Sequence, residues 1–325
     1  MKKYSIIGIL LLTVCILSGC KTTDNNPITR QTILFDTIIQ IRIYDSNATN
    51  ILDGCIEKCQ YYENLFSRTV EGSDIYRINH ADGAPVEVHP ETIALLETAL
   101  SYCELSDGAF DITLAPVSDL WDFQNNTGSF PNSDQLQKCL ESVGYQAICI
   151  NGNTVQIANP DTQIDLGAIA KGYIADQLKL YLKENGVNHA LIDLGGNILT
   201  IGGKPDGSKY NIAIQKPFDE QGTPITTVKT TDDSVVTSGI YQRYVEIDRK
   251  VYHHILNPRT GYPYDNSLYS VTIISDSSTT ADALSTTCFA MGLEDGLELI
   301  NSLDHTEAIF ITDNYELIYS DGLSK

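Results

Sequence analysis

The chain has 325 residues and carries 42 Asp and Glu against 21 Lys and Arg, a formal net charge of −21. That balance excludes a nucleic-acid binder, which needs a basic face for phosphates, and an anionic ligand would need a spot where the local field is reversed. A hydrophobic share of 42% and a mean hydropathy of −0.11 suit a soluble chain with a real core, long enough for one large domain or two small ones.

The N-terminus reads MKKYSIIGILLLTVCILSGC. Lys2 and Lys3 precede an apolar run from Ile6 to Leu17, too short for a comfortable membrane span. Leu17-Ser18-Gly19-Cys20 resembles the bacterial lipobox. The resemblance implies that residues 1–19 are a signal peptide and that Cys20 is lipidated; a plain signal peptide or an uncleaved anchor are the alternatives. Loss of the two lysines makes the mature charge −21 − 2 = −23. Residues 20–31 then form the lipidated cysteine and a polar tether, with a single domain over 32–325 held at the outer face of the cell membrane. The remaining cysteines, Cys55, Cys59, Cys103, Cys139, Cys149 and Cys288, show neither CxxC pairs nor zinc-ligand spacing. Buried free thiols and disulfides both fit them.

ILFDTIIQIRIY (33–44) alternates like a strand, and residues 47–66 carry a helical stripe of apolar positions, repeated over 91–105. YQAICI and TVQIAN flank Asn151-Gly152-Asn153, a hairpin signal. A helix is expected over 168–185, stopped by Gly186, and a strand over 189–194. The stretch 209–275 reads as strands and turns, 279–291 and 293–303 as helices, and EAIFIT and ELIYS as a closing hairpin. Helices early and strands late predict an α+β fold with mixed, largely antiparallel sheets and packed helices.

Three segments could carry chemistry. In QIDLGAIAKGYIAD (163–176), Asp165, Ala168 and Lys171 line one side of a turn that runs into a helix. Free N–H groups and a lysine there suit an anion such as phosphate; a capping Asp with a solvated lysine is the plainer reading. In VYHHILNPRTGYP (251–263), His253 and His254 alternate faces, so only one can point into a given site; a structural histidine is the alternative. In STTADALSTTCFAMG (278–292), Asp282 and Thr286 stand one helical turn apart. A carboxylate with a hydroxyl suits a hard cation such as Mg²⁺, and a pair of capping residues explains the same pattern.

DLGAIAKGYIAD, HHILNPRTGYP and TADALST, in this order, resemble the ApbE family of FAD:protein FMN transferases. FSRTVEGSDIYRIN (66–79), DGAFDITLAPVSDLW (107–121), IDLGGNI (192–198), IQKP (214–217) and TSGIYQRY (237–244) extend the resemblance from about residue 32 to the C-terminus. It implies that Asp165 and Lys171 contact FAD, that Ala109, Phe110, Asp111 and the backbone at Leu256 meet the flavin, and that Phe35 stands where the isoalloxazine ring is covered. It also implies Mg²⁺ held by the Ala168 carbonyl, Asp282 and Thr286, with His254 as the base. Two positions depart from the family pattern: Asn257 replaces the usual Asp, and Phe35-Asp36-Thr37 replaces Met-Gly-Thr.

The implied reaction moves FMN from FAD to a Thr or Ser hydroxyl of an extracytoplasmic flavoprotein of an electron-transfer system, releasing AMP. A FAD pyrophosphatase and a non-catalytic flavin-binding lipoprotein are the alternatives. Because FAD is an anion and the chain is acidic, this reading requires a cation at the site.

Overall fold

The computed structural model describes residues 26–45, 48–126 and 128–323. Cys20 and residues 1–19 lie outside the described residues. The fold begins with β1 (Ile28–Leu34) and β2 (Thr37–Ile43), then α1 (Thr49–Phe66), α2 (Asp74–Asn79), β3 (Val86–Glu87), α3 (Pro90–Leu105), α4 (Ala115–Trp121) and α5 (Ser133–Leu140). The hairpin β4 (Ile148–Asn151) and β5 (Thr154–Ile157) leads to α6 (Ala170–Glu184). There follow β6 (Ala190–Leu194), β7 (Asn197–Ile201), β8 (Tyr210–Gln215), β9 (Pro224–Thr230), β10 (Ser234–Gly239), β11 (Tyr244–Ile247), β12 (Lys250–His253) and β13 (Leu268–Ser275). α7 (Ser278–Met291), α8 (Leu293–Asn301), β14 (Thr306–Thr312) and β15 (Leu317–Tyr319) complete it.

An eight-stranded sheet in the order β1-β2-β6-β7-β10-β13-β14-β15 organises the molecule, and every pairing in it is antiparallel. Alternation along its strands separates two apolar faces. Ile39, Ile41, Ile192, Leu199, Val236, Ile273 and Phe310 face α1, α6 and α7. Leu191, Val235, Ile274, Ile309 and Ile311 face the other way, against Tyr210, Ile212, Ile214 and Val228 of the β8–β9 hairpin. The sheet is thus buried on both sides at its centre, where every residue of β13 from Ser270 to Ser275 is buried, while β1 at its edge is largely exposed. The α+β expectation holds, with the sheet fully antiparallel.

Several boundaries differ from the sequence reading. The single strand expected over 33–44 is a hairpin: Phe35 and Asp36 form its two-residue turn at φ 56° and 55°. The apolar alternation runs unbroken through the turn, and no glycine marks it. β1 starts at Ile28, inside the stretch expected as tether. α6 runs from Ala170 to Glu184 and is closed off by Gly186 just beyond it, whose φ of 76° lets its N–H and that of Val187 return to the Lys183 and Leu182 carbonyls. All six described cysteines are free thiols. Burial pushes those of Cys55, Cys59, Cys103 and Cys288 up to about 12, so they are inert core residues.

Candidate active site

α6 and α7 approach at Gly172. A Cβ there would stand 2.3 Å from the Ser278 carbonyl oxygen and 2.7 Å from Asp282 Cβ. The close contact lets each helix cap the other. Asp176 of α6 accepts from the Ser278 and Thr279 N–H groups at 2.8 and 2.9 Å, and also from the Ser277 and Thr279 hydroxyls. Asp282 of α7, only 4% exposed, accepts from the Gly172 N–H at 2.8 Å.

The second bond has a consequence for the turn before α6. The neighbouring amides follow the helical pattern: Ala170 N–H donates to Leu166 O and Tyr173 N–H to Ile169 O. Gly172 N–H would by the same rule donate to Ala168 O. Asp282 intercepts it, and Ala168 O accepts no hydrogen bond among the described residues. A free carbonyl, a nearly buried carboxylate with Oδ1 unused and a helix N-terminus therefore meet at one point. Thr286, one turn beyond Asp282, adds a hydroxyl that contacts Ser238 Oγ at 2.9 Å. Among the described residues no group of three or more His, Cys, Asp or Glu side chains could hold a metal. The donor set is one carboxylate with neutral oxygens, which fits Mg²⁺ completed by substrate phosphate oxygens.

Lys171 Nζ lies 3.1 Å from Gly167 O, on the same turn. Asp165 folds that turn: Oδ1 accepts from Gly167 N–H at 2.8 Å, and Oδ2 pairs with Arg68 Nε at 3.0 Å. Arg68 also forks onto Asp119 at 3.0 and 2.6 Å. Asp165 is therefore the hinge of an Asx-type turn and not the N-cap of α6. Asn79 holds the segment just before this turn, its side-chain amide bonding both Ile164 O and Ile164 N–H.

The two adjacent histidines divide their roles. His253 is buried, its Nε2–H donates to Tyr264 O at 2.9 Å, and Nδ1 accepts from Ile255 N–H. His254 points the other way. Its Nδ1 stands 3.1 Å from Arg243 O; a carbonyl only accepts, so Nδ1 carries the proton and Nε2 keeps its lone pair. Burial brings the pKa of His254 down to about 4, and the charges of Arg243 and Lys171 act in the same sense. It is a neutral imidazole at neutral pH, close enough to Lys171 to feel that charge.

The loops that bear the expected flavin contacts are tied together. Tyr264 OH donates to Ala109 O at 2.9 Å, Arg259 Nη2 reaches Asp107 Oδ2 at 2.9 Å, and Trp121 Nε1 donates to Gly261 O at 2.7 Å. Phe110 is buried in the core. Asp111 spends both oxygens on Thr113 and Tyr145, and burial raises its pKa. Leu256 is buried and bridged to Pro263. Asn257 Oδ1 accepts from Arg259 N–H at 2.8 Å, a turn bond that Asn makes as well as Asp. Phe35 sits at the β1–β2 tip, its N–H donating to Glu63 Oε1 at 2.8 Å. Gly172, Asp176, Arg68 and Ser238 were not singled out from sequence, although the first two lie within the Asp165 segment and the last two within FSRT and TSG.

The ApbE family model matches residues 35–310. The FAD:protein FMN transferase of Klebsiella pneumoniae (strain 342) is 35% identical over 301 residues, 92% of this chain and 93% of that protein. Its counterpart in Treponema pallidum (strain Nichols) is 32% identical over 341 residues, 98% and 94% of the two chains. Among solved structures, the ApbE protein of Thermotoga maritima superposes with a TM-score of 0.83 at 30% identity, over 91% of this chain and 97% of that one. The flavin transferase ApbE of Vibrio cholerae gives 0.81 at 25% identity, with the same coverage. With its fold, its motifs and its relatives in agreement over nine-tenths of its length, this chain belongs to the ApbE family.

Proposed function

We propose that this protein transfers the FMN part of FAD to a Thr or Ser hydroxyl of a target protein and releases AMP, using Mg²⁺. The observation that carries the metal requirement is the Ala168 carbonyl, left free because Asp282 takes the Gly172 N–H. Ala168 O, Asp282 and Thr286 would hold the cation, which when bound would neutralise charge on the pyrophosphate.

The chain's own groups do the rest. Lys171 and the N-terminus of α6 bring positive potential to the phosphates. The acceptor hydroxyl loses its proton to His254 Nε2, its oxygen forms a bond to the FMN phosphorus, and the bond from that phosphorus to the AMP oxygen breaks. Asp165, pinned by Arg68, shapes the turn that presents Lys171.

The target reading places the acceptor in an extracytoplasmic electron-transfer flavoprotein and this protein on the membrane through lipidated Cys20. The lipobox-like tetrapeptide supports the second point. The test is to mix protein, FAD, Mg²⁺ and a candidate target domain, then look for a fluorescent flavin band on a denaturing gel. A labelled band that vanishes with chelator is the expected result. AMP release without a label would replace transfer by FAD hydrolysis, and neither product would leave a binding protein.

A further inference from the structure

Three hydroxyls stand in a row beside the candidate cation site. Ser285 is fully buried, and its O–H donates to Asp282 O at 2.8 Å. Ser238, at the end of β10, places Oγ 2.7 Å from Ser285 Oγ and 2.9 Å from Thr286 Oγ1. Each hydroxyl owns one proton. The Ser285 proton goes to the carbonyl, which has none to return. The contact between Ser238 and Ser285 must then use the Ser238 proton, and the contact between Ser238 and Thr286 must use the Thr286 proton. The order Thr286 to Ser238 to Ser285 to Asp282 O is the one assignment that fills all three contacts.

This order fixes a rotor that would otherwise turn. A helical threonine can donate to the carbonyl one turn back. For Thr286 that carbonyl is Asp282 O, whose two lone pairs already meet the helical Thr286 N–H and the Ser285 hydroxyl. With its hydrogen held by Ser238, Thr286 keeps its lone pairs on the side away from that hydrogen. A hydroxyl coordinates a cation through a lone pair and points its hydrogen elsewhere.

We propose that Ser238 is a positioning residue for the cation: it accepts the hydrogen bond of the Thr286 hydroxyl and so presents Thr286 Oγ1 as a ligand. The proposal rests on the Mg²⁺ site proposed above. Partners that orient a metal ligand are worth about 10–100-fold in affinity.

The test titrates Mn²⁺ alone into the full-length wild type, Ser238→Ala, Ser238→Thr and Asp282→Asn, reading free Mn²⁺ by electron paramagnetic resonance. Thermal midpoints are taken with and without the metal. Ser238→Ala is expected to weaken Mn²⁺ binding about tenfold or more and to shrink the metal-induced rise in Tm, with the metal-free Tm unchanged. Ser238→Thr, which restores the hydroxyl, is expected to bind like wild type. Wild-type affinity in Ser238→Ala alongside lost affinity in Asp282→Asn would overturn the relay and leave the cation site standing. Equal weakness in both Ser238 variants would assign the loss to packing and overturn the relay as well. Equal binding by wild type and Asp282→Asn would overturn the cation site itself.

Discussion

Asp176 and Asp282 lie on neighbouring helices, and each caps the helix that carries the other. The arrangement is reciprocal in geometry but unequal in use. Asp176 holds only the start of α7 through four donors. Asp282 holds α6 with one oxygen and leaves the other for the site. Asp176→Ala should therefore lower stability by about 2 kcal/mol, the upper range for a lost cap, while Mn²⁺ affinity falls little. Asp282→Ala should lose metal-dependent transfer altogether. Urea unfolding and metal titration of the two variants check the contrast; full transfer activity in Asp282→Ala with Mg²⁺ would remove Asp282 from the site.

Gly172→Ala tests the close approach. The added methyl would meet a backbone carbonyl at 2.3 Å, so α6 and α7 must separate. Overpacking of this kind costs about 1–3 kcal/mol. The separation also breaks the Gly172–Asp282 bond, so metal affinity should drop with stability. A variant with wild-type metal affinity would show that the site does not depend on the helix crossing.

His254→Ala should slow flavin transfer by about 10²–10⁴-fold, the usual worth of a general base, and leave FAD binding nearly intact. Equal losses in both would mean a binding role. Since its pKa sits near 4, the wild-type kcat should hold down to about pH 5 and not fall near 6.5. A stopped pH–rate series with gel readout checks this.

The two histidines also contribute to acid stability. Both are held down to about 4 from an ordinary 6.5, mainly by burial. Between those values each unfolded histidine binds more protons than the folded one, so their contribution to stability falls as pH drops from 6.5 towards 4 and changes no further below. Replacing His253 by Gln, which keeps a donor for Tyr264 O, should make chemical unfolding less pH-dependent in that window.

Arg68→Lys should raise the KM for FAD several-fold with little change in kcat. Lysine cannot reproduce the fork that joins Asp119 to Asp165. The pairs are partly exposed, which limits the effect to about 1 kcal/mol. A fall in kcat alone would instead assign Arg68 to the chemical step.

The long periodic elements were legible because burial follows sequence period there: α1, α3, α6, the β4–β5 hairpin and the closing β14–β15 hairpin lie within a few residues of their expected limits. The β1–β2 turn was hidden because Phe35 and Asp36 adopt positive φ without a glycine, with Glu63 supplying a bond from another helix. α2, α4 and α5 are short, and tertiary partners such as Asp74 with His89 and Thr92 hold α2 in place. At the site, Asp282 and Thr286 could be named from spacing and family likeness. Their relation to Ala168 could not, since it depends on a hydrogen bond between residues 172 and 282. The split between His253 and His254 could be foreseen from strand alternation, but which face each took depended on Tyr264 and Arg243.

The bond from Gly172 to Asp282 spans 110 positions of chain. No short segment of the protein holds even a rudimentary version of the site. The loop must close before Ala168 loses its amide partner, so the carbonyl becomes a ligand only in the folded molecule. A cation or flavin that binds there selects the folded chain over the unfolded one and adds its binding free energy to the stability of both helices. Catalytic competence and completion of the fold are, at this crossing, a single event.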